Sequence, residues 1–284
     1  MLRLLQKIVE VYVLSNVHIS IAAGMYILGA YALVDYSSPY AYAVPVMMTI
    51  GTFIAYNAHR FIGHQRVTDQ LIPKRILFVK RYSLIIAIIS ALALVPILFG
   101  LSRLNPQIWH LMLPCGLLTF LYLAPVFAGG QRLRDFPRVK IFVIAMVWAG
   151  LFMLPHFTSA AHPVFKLSQI PLFIEKFFFF IAITIPFDYR DKDIDSSQGV
   201  VTMATQLDTV GLRLVIVSCL AASIISAISL GLIGTYGLHL TIGLCVFYLI
   251  SIGFCLAGIA SRKELYYLGV LDGLILINGL VYFI

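Results

Sequence analysis

Asp188-Tyr189-Arg190-Asp191-Lys192-Asp193-Ile194-Asp195 holds four of the chain's twelve acidic residues in eight positions. It follows directly on Phe177-Phe178-Phe179-Phe180-Ile181-Ala182-Ile183-Thr184-Ile185-Pro186, as apolar a run as any in the sequence. At about 100° per helical residue, Asp188, Asp191 and Asp195 share one stripe and Asp193 points away. Carboxylates gathered at the end of a membrane helix repel one another unless positive charge stands among them. Two sources of that charge fit: a divalent cation, which favours carboxylate oxygens, or basic side chains from elsewhere in the fold.

The setting is a membrane. Mean hydropathy is +0.97, 61% of residues are hydrophobic and only 11% are charged, outside the range of soluble domains. Apolar stretches near the ~20 residues that cross a hydrocarbon core recur along the chain. They predict nine spans, over residues 8–34, 39–63, 82–101, 107–127, 139–154, 170–187, 210–233, 236–260 and 265–284. The expected fold is therefore all-α: a single helical membrane domain over 1–284, with loops at 64–81, 128–138, 188–209 and 261–264. Arg3 and Lys7 precede an apolar run too long for a secretory signal, which reads as an uncleaved first helix.

The net charge of +8 lies in the connections between spans and is no nucleic-acid signature. Seventeen of the twenty basic residues fall at the N-terminus and around the connections after spans two, four, six and eight. Arg103, Lys166 and Lys176 are left to the other side. The positive-inside rule then places the N-terminus in the cytoplasm and the C-terminus outside, in an inner or plasma membrane. Cys115, Cys219, Cys245 and Cys255 sit in apolar segments without zinc-ligand spacing and read as packing residues.

Asp191-x-x-x-Asp195, with Gly199 and Thr202 behind it, resembles the second aspartate-rich motif of the UbiA-type intramembrane prenyltransferases. Nine spans, a cytoplasmic N-terminus and a basic connection after span four extend the resemblance. It implies a central cavity open sideways to lipid, where aspartates hold Mg²⁺ against the diphosphate of an isoprenoid. Loss of diphosphate leaves an allylic carbocation, which a lipophilic acceptor such as a quinone-precursor ring attacks. Asp191 and Asp195 would be catalytic, and Asp188, Asp191 and Asp195 the metal ligands. The residue types suit that chemistry, since Mg²⁺ bridges carboxylate to phosphate oxygen and aromatic faces tolerate a cation. Tyr122 and the stretch from Arg132 to Lys140 resemble the family's loop after the fourth helix. Arg134 and Lys140, together with Lys192, would reach the diphosphate. A solvated loop capping a helix is the plainer reading of the aspartates, but carboxylates beside a bilayer are costly decoration.

The first motif breaks the pattern. Asn57 is present, but the family's acidic positions hold Ala58, Phe61 and Gln65, and the next acid is Asp69. Arg60 and His64 share the Asn57 stripe instead. Two arrangements answer this. Arg60 pairs with the aspartates as a guanidinium–carboxylate bridge, leaving a cation little reason to bind. Alternatively Asn57, Arg60 and His64 hold phosphate while the aspartates hold one Mg²⁺ rather than two. The bridge is preferred, because it relieves the like-charge problem without a ligand.

The remaining polar residues in the spans read as packing first. Asn16, Ser20 and Gly24 form a stripe, and Gly269 and Gly273 are spaced for close helix contact. Asn16, His18 and Asp272 should face protein or cavity rather than lipid. Glu175 and Lys176 should snorkel or pair locally, and His59, roughly opposite Asn57, reads as a packed histidine. The partners expected are a prenyl diphosphate, a lipophilic acceptor and the lipid bilayer, with transfer of a prenyl group as the reaction. A terpene cyclase, or a protein with this fold that binds lipid or a partner without transferase chemistry, is the alternative.

Overall fold

A computed structural model of the chain describes residues 2–34, 40–64, 72–102, 106–158, 167–197, 199–260 and 263–284. Gln65, Asp69, Arg103 and Lys166, and the side chain of His64, lie outside them. Every extended element described is a helix: α1 (Leu2–Leu14), α2 (Val17–Ala32), α3 (Tyr40–His64), α4 (Lys74–Arg81), α5 (Ser83–Leu101), α6 (Trp109–Leu123), α7 (Val139–Phe152), α8 (Leu154–Thr158), α9 (Ile170–Ser197), α10 (Met203–Gln206), α11 (Thr209–Leu232), α12 (Leu238–Ala260) and α13 (Asp272–Leu280), which continues a π-helical turn over Tyr266–Leu271.

Among the described residues, five helical stretches are long and apolar enough to cross a membrane, six if the bent α1–α2 pair counts as one. The other three expected spans are helices too. α6 and α7, of 15 and 14 residues, are shorter than the ~20 residues a crossing needs, and α3 carries Asn57, His59 and Arg60 in its last turns. α5 is almost entirely unburied, which leaves its surface to lipid. α9 is the central post, mostly buried along its apolar length and packed against α7, α11 and α12.

The first span is not continuous. α1 and α2 meet at 61° because Asn16 adopts a left-handed φ of 69°, a conformation asparagine tolerates better than most residues. The break leaves carbonyls without helical partners, and α3 supplies donors for them. Asn57 Nδ2 donates to Ser15 O at 3.2 Å, Arg60 Nη1 to Leu14 O at 2.6 Å, and Asn16 Nδ2 to Asn57 Oδ1 at 2.9 Å. The stripe from Asn16 continues as packing, with Gly24 set against Thr49 and the Pro45 carbonyl.

α9 also departs from expectation, running through Pro186 to Ser197. The aspartates are therefore helical rather than the start of a loop. Gly199, at φ +69°, and a hydrogen bond from Val200 N–H to Asp195 O at 2.8 Å end the helix. Thr202 then caps α10 through Thr205 N–H. Among the described glycines, the closest approach of two helix backbones is not at Gly269 and Gly273, which seat the His18 ring. It is between α2 and α13, where Gly29 and Gly279 bring the two backbones together.

Candidate functional site

Asp188 and Asp195 lie seven residues apart, about 20° short of two helical turns, while Asp191 is displaced about 60° from Asp188. That offset divides the cluster. Lys140, from the first turn of α7, sits between the aligned pair, its Nζ 2.8 Å from Asp188 Oδ1 and 3.2 Å from Asp195 Oδ2. All three residues are buried. The contact with Asp188 is a close ion pair without the alignment of a hydrogen bond, and Asp188 Oδ2 has no hydrogen-bond partner among the described residues.

Asp191, offset on the helix, meets different cations. Arg190 clasps both its oxygens, Nε to Oδ1 and Nη2 to Oδ2, each at 2.9 Å. Arg75 Nη2 adds a third bond at 2.8 Å, and its Nη1 continues to Glu264 at 2.9 Å. Asp193 is exposed, as its place on the helix requires. Basic side chains thus stand among the aspartates, but they are Lys140, Arg75 and Arg190. Arg60 corrects the expectation, for it reaches Leu14 and, among the described residues, has no carboxylate at ion-pair distance.

Beneath these pairs lies a cavity of about 490 Å³. Its mouth is lined by six basic side chains, Arg60, Arg75, Arg132, Arg134, Lys140 and Arg190, against three carboxylates, Asp191, Asp195 and Asp272. Its depth is apolar and aromatic, with Tyr56, Trp148 and Phe180 on the wall and the last two stacked at 4.9 Å. Arg134 Nη1 donates to His59 Nε2, and its guanidinium lies 5.5 Å from the Tyr122 ring centroid. Arg132 is turned back onto its own loop, bonding Asp135 at 2.8 and 3.0 Å. Burial would raise the Asp135 carboxyl, but the Arg132 hydrogen bonds outweigh it and hold the group below the usual carboxylate range.

Several expected site residues are placed elsewhere. Asn57 is spent on the α1–α2 break, and neither it nor Lys192 lines the cavity. Asp188 is wholly buried beneath Lys140 and does not reach the cavity wall either. Asp191, Asp195, Arg60, Arg134 and Lys140 do line it. Among the described residues, no three His, Cys, Asp or Glu side chains are placed to share a metal ion. The donor set explains why the expected triad of Asp188, Asp191 and Asp195 does not fit Mg²⁺. Two of its members share an ammonium, and the third is saturated by two guanidiniums.

No family model matches the sequence, and no curated protein matches it. Solved structures do. A UbiA homologue from Archaeoglobus fulgidus bound to DMAPP and Mg²⁺ superposes with a TM-score of 0.63 over 96% of this chain and 98% of that one, at 15% identity. The apo UbiA homologue from Aeropyrum pernix K1 gives 0.64 over 93% and 95%, at 13% identity. A digeranylgeranylglyceryl phosphate synthase gives 0.59 over 94% and 96%, also at 13% identity. The chain has the UbiA fold.

Within the UbiA fold, sequence reasoning missed Arg75, Arg190 and His59, and left Asp272 undecided between protein and cavity. Arg75 follows a connection after α3, where no periodicity links it to α9. Arg190 adjoins Asp191, and helical neighbours point about 100° apart; the length of the arginine side chain closes that gap. His59 carried no independent signal. It lies nearly opposite Asn57 on α3, and only the helix break that Asn57 faces shows the cavity to lie on the His59 side.

Proposed function

We propose that this chain is an intramembrane prenyltransferase-like enzyme, moving an isoprenoid group from a prenyl diphosphate to an aromatic or other lipophilic acceptor. The observation that carries the reading is the polarity of the cavity, strongly basic at the mouth and apolar and aromatic below. An isoprenoid diphosphate has the same division, a polyanionic head on a hydrocarbon tail. The likeness in fold to homologues bound to DMAPP or GPP with Mg²⁺ supports it.

In this reaction the bond between the allylic carbon and the diphosphate oxygen breaks, and the electron pair leaves with the diphosphate. Arg134, Arg60 and Arg190 neutralise the departing charge. Tyr56, Trp148 and Phe180 face the allylic cation with their rings and exclude water from it. The acceptor attacks that carbon and then loses a proton. Asp191 and Asp195 act by fixing Arg190, Arg75 and Lys140 at the mouth. The N-terminus and the basic connections face the cytoplasm in this reading.

A second reading keeps the fold and drops the chemistry, leaving a protein that binds an anionic lipid. The neutralisation of Asp188 and Asp195 by Lys140 favours it. Purified protein in lipid nanodiscs, given radiolabelled geranyl, farnesyl and geranylgeranyl diphosphates with a membrane lipid extract, separates the two. Labelled diphosphate release with a labelled lipophilic product is expected. Retention of intact prenyl diphosphate, without turnover under any condition, would establish the binding protein.

A further inference from the structure

Taking the proposed function as given, we infer that the diphosphate head is held directly by guanidinium groups, Arg60 and Arg134 foremost, and not through a carboxylate-bound metal ion. Of the three carboxylates lining the cavity, Asp191 and Asp195 are already engaged by basic side chains, and Asp272 alone cannot supply a metal's ligand set. Mg²⁺ demands a near-octahedral set of oxygens and gives up its water reluctantly. To enter here it would have to displace the two-point clasp of Arg190 on Asp191 or the buried Lys140 ammonium. It would also sit among side chains of its own sign.

The arginines have the opposite problem. Among the described residues neither Arg60 nor Arg134 has a carboxylate at ion-pair distance. Arg60 is 6% exposed and gives one N–H to the Leu14 carbonyl, and Arg134 is held by His59 and the Tyr122 face. Arg190 Nη1 is buried with no acceptor among the described residues. A guanidinium buried as deeply as that of Arg60 without a counter-ion is costly. A polyanion entering the mouth of the cavity removes that cost, because phosphate oxygens match the guanidinium fork two at a time. The positive charge that an ion would bring to the leaving group is here part of the chain, on α3, α9 and the loop before α7.

The test uses the whole protein in lipid nanodiscs and farnesyl thiodiphosphate, which resists cleavage, as the probe. Binding is measured by titration calorimetry in excess EDTA and in excess Mg²⁺, with neutral farnesol as a control for the tail site. We expect comparable affinity in the two media. Arg60→Gln and Arg134→Gln should each weaken probe binding by about tenfold or more, with farnesol binding unchanged. The farnesol control and the loop position of Arg134 separate this loss from any misfolding caused by removing the Arg60 bond to Leu14. Binding that requires Mg²⁺ overturns the inference and leaves the proposed function standing, as does wild-type affinity in both variants. No binding in either medium overturns both.

Discussion

Lys140 Nζ lies 2.8 Å from Asp188 Oδ1, and both side chains are buried. The same ammonium reaches Asp195 at 3.2 Å, so one cation on α7 fastens two turns of α9. Removing one partner of such an arrangement leaves uncompensated buried charge, typically about 3–5 kcal/mol. Lys140→Met should lose stability of that order in thermal unfolding. With the ammonium gone, Asp188 and Asp195 become open to a cation, and Mg²⁺ should then raise the Tm of the variant while leaving the wild type unmoved. Equal stabilisation of both proteins by Mg²⁺ would mean that the aspartates are available to metal in the native chain.

Far along α9 from the aspartates, Glu175 and Lys176 form a second charged centre. Neither snorkels outward; both are 0% exposed. Lys176 Nζ sits 2.7 Å from Glu175 Oε1 and 4.7 Å from the ring centroids of Phe152 and Tyr282. Tyr236 donates to Glu175 Oε2 at 2.6 Å, and Tyr248 donates to Oε1. With every charge satisfied, the centre ties α9 to α12 and α13. Lys176→Met should cost about 3–5 kcal/mol, and the pair Glu175→Gln with Lys176→Met should recover most of it. A double-mutant cycle on thermal unfolding in detergent reads the coupling, and additive losses would show that the two residues do not act together.

The α2–α13 contact makes a sharper steric prediction. A Cβ on Gly279 would run into the Met25 carbonyl, and one on Gly29 into Gly279 itself. Because the obstacle is backbone, it cannot rotate away. Gly279→Ala should destabilise by about 1–3 kcal/mol, the usual range for overpacking. Gly253→Ala, where a Cβ meets nothing within 4 Å, should stay within about 0.5 kcal/mol of wild type. Thermal melts of the two variants side by side check this, and similar losses in both would remove the close approach as the cause.

What could be read beforehand divides along physical lines. Hydropathy marks where helices run, since burial in lipid constrains every residue of a span. The stripe of Asp188 and Asp195 followed from helical periodicity, and so did the outward turn of Asp193. The break at Asn16 was invisible because one residue at positive φ leaves the hydropathy profile unchanged. That break reassigns Asn57 and half of Arg60 from ligand to backbone, so the meaning of the first motif depended on a kink forty residues away. The partners of Asp191 were hidden for a related reason. Arg75, itself steadied by Glu264, reaches it through three-dimensional packing of α4, α9 and the turn before α13, for which a single sequence holds no local signal.

Gly51 and Gly116 both line the cavity, and a Cβ at either meets nothing within 4 Å. A larger side chain there fills space instead of clashing, so Gly51→Leu and Gly116→Leu should fold normally. If the cavity houses a prenyl tail, the added volume displaces methylenes, each worth about 0.8 kcal/mol of burial. Losing about two of them corresponds to roughly tenfold in affinity. The longest chain should suffer most: geranylgeranyl diphosphate should lose about tenfold or more in binding, while dimethylallyl diphosphate, whose tail stays near the basic mouth, should be little affected. Titrating both ligands against each variant reads the difference directly, and an equal loss for short and long chains would place the tail outside this cavity.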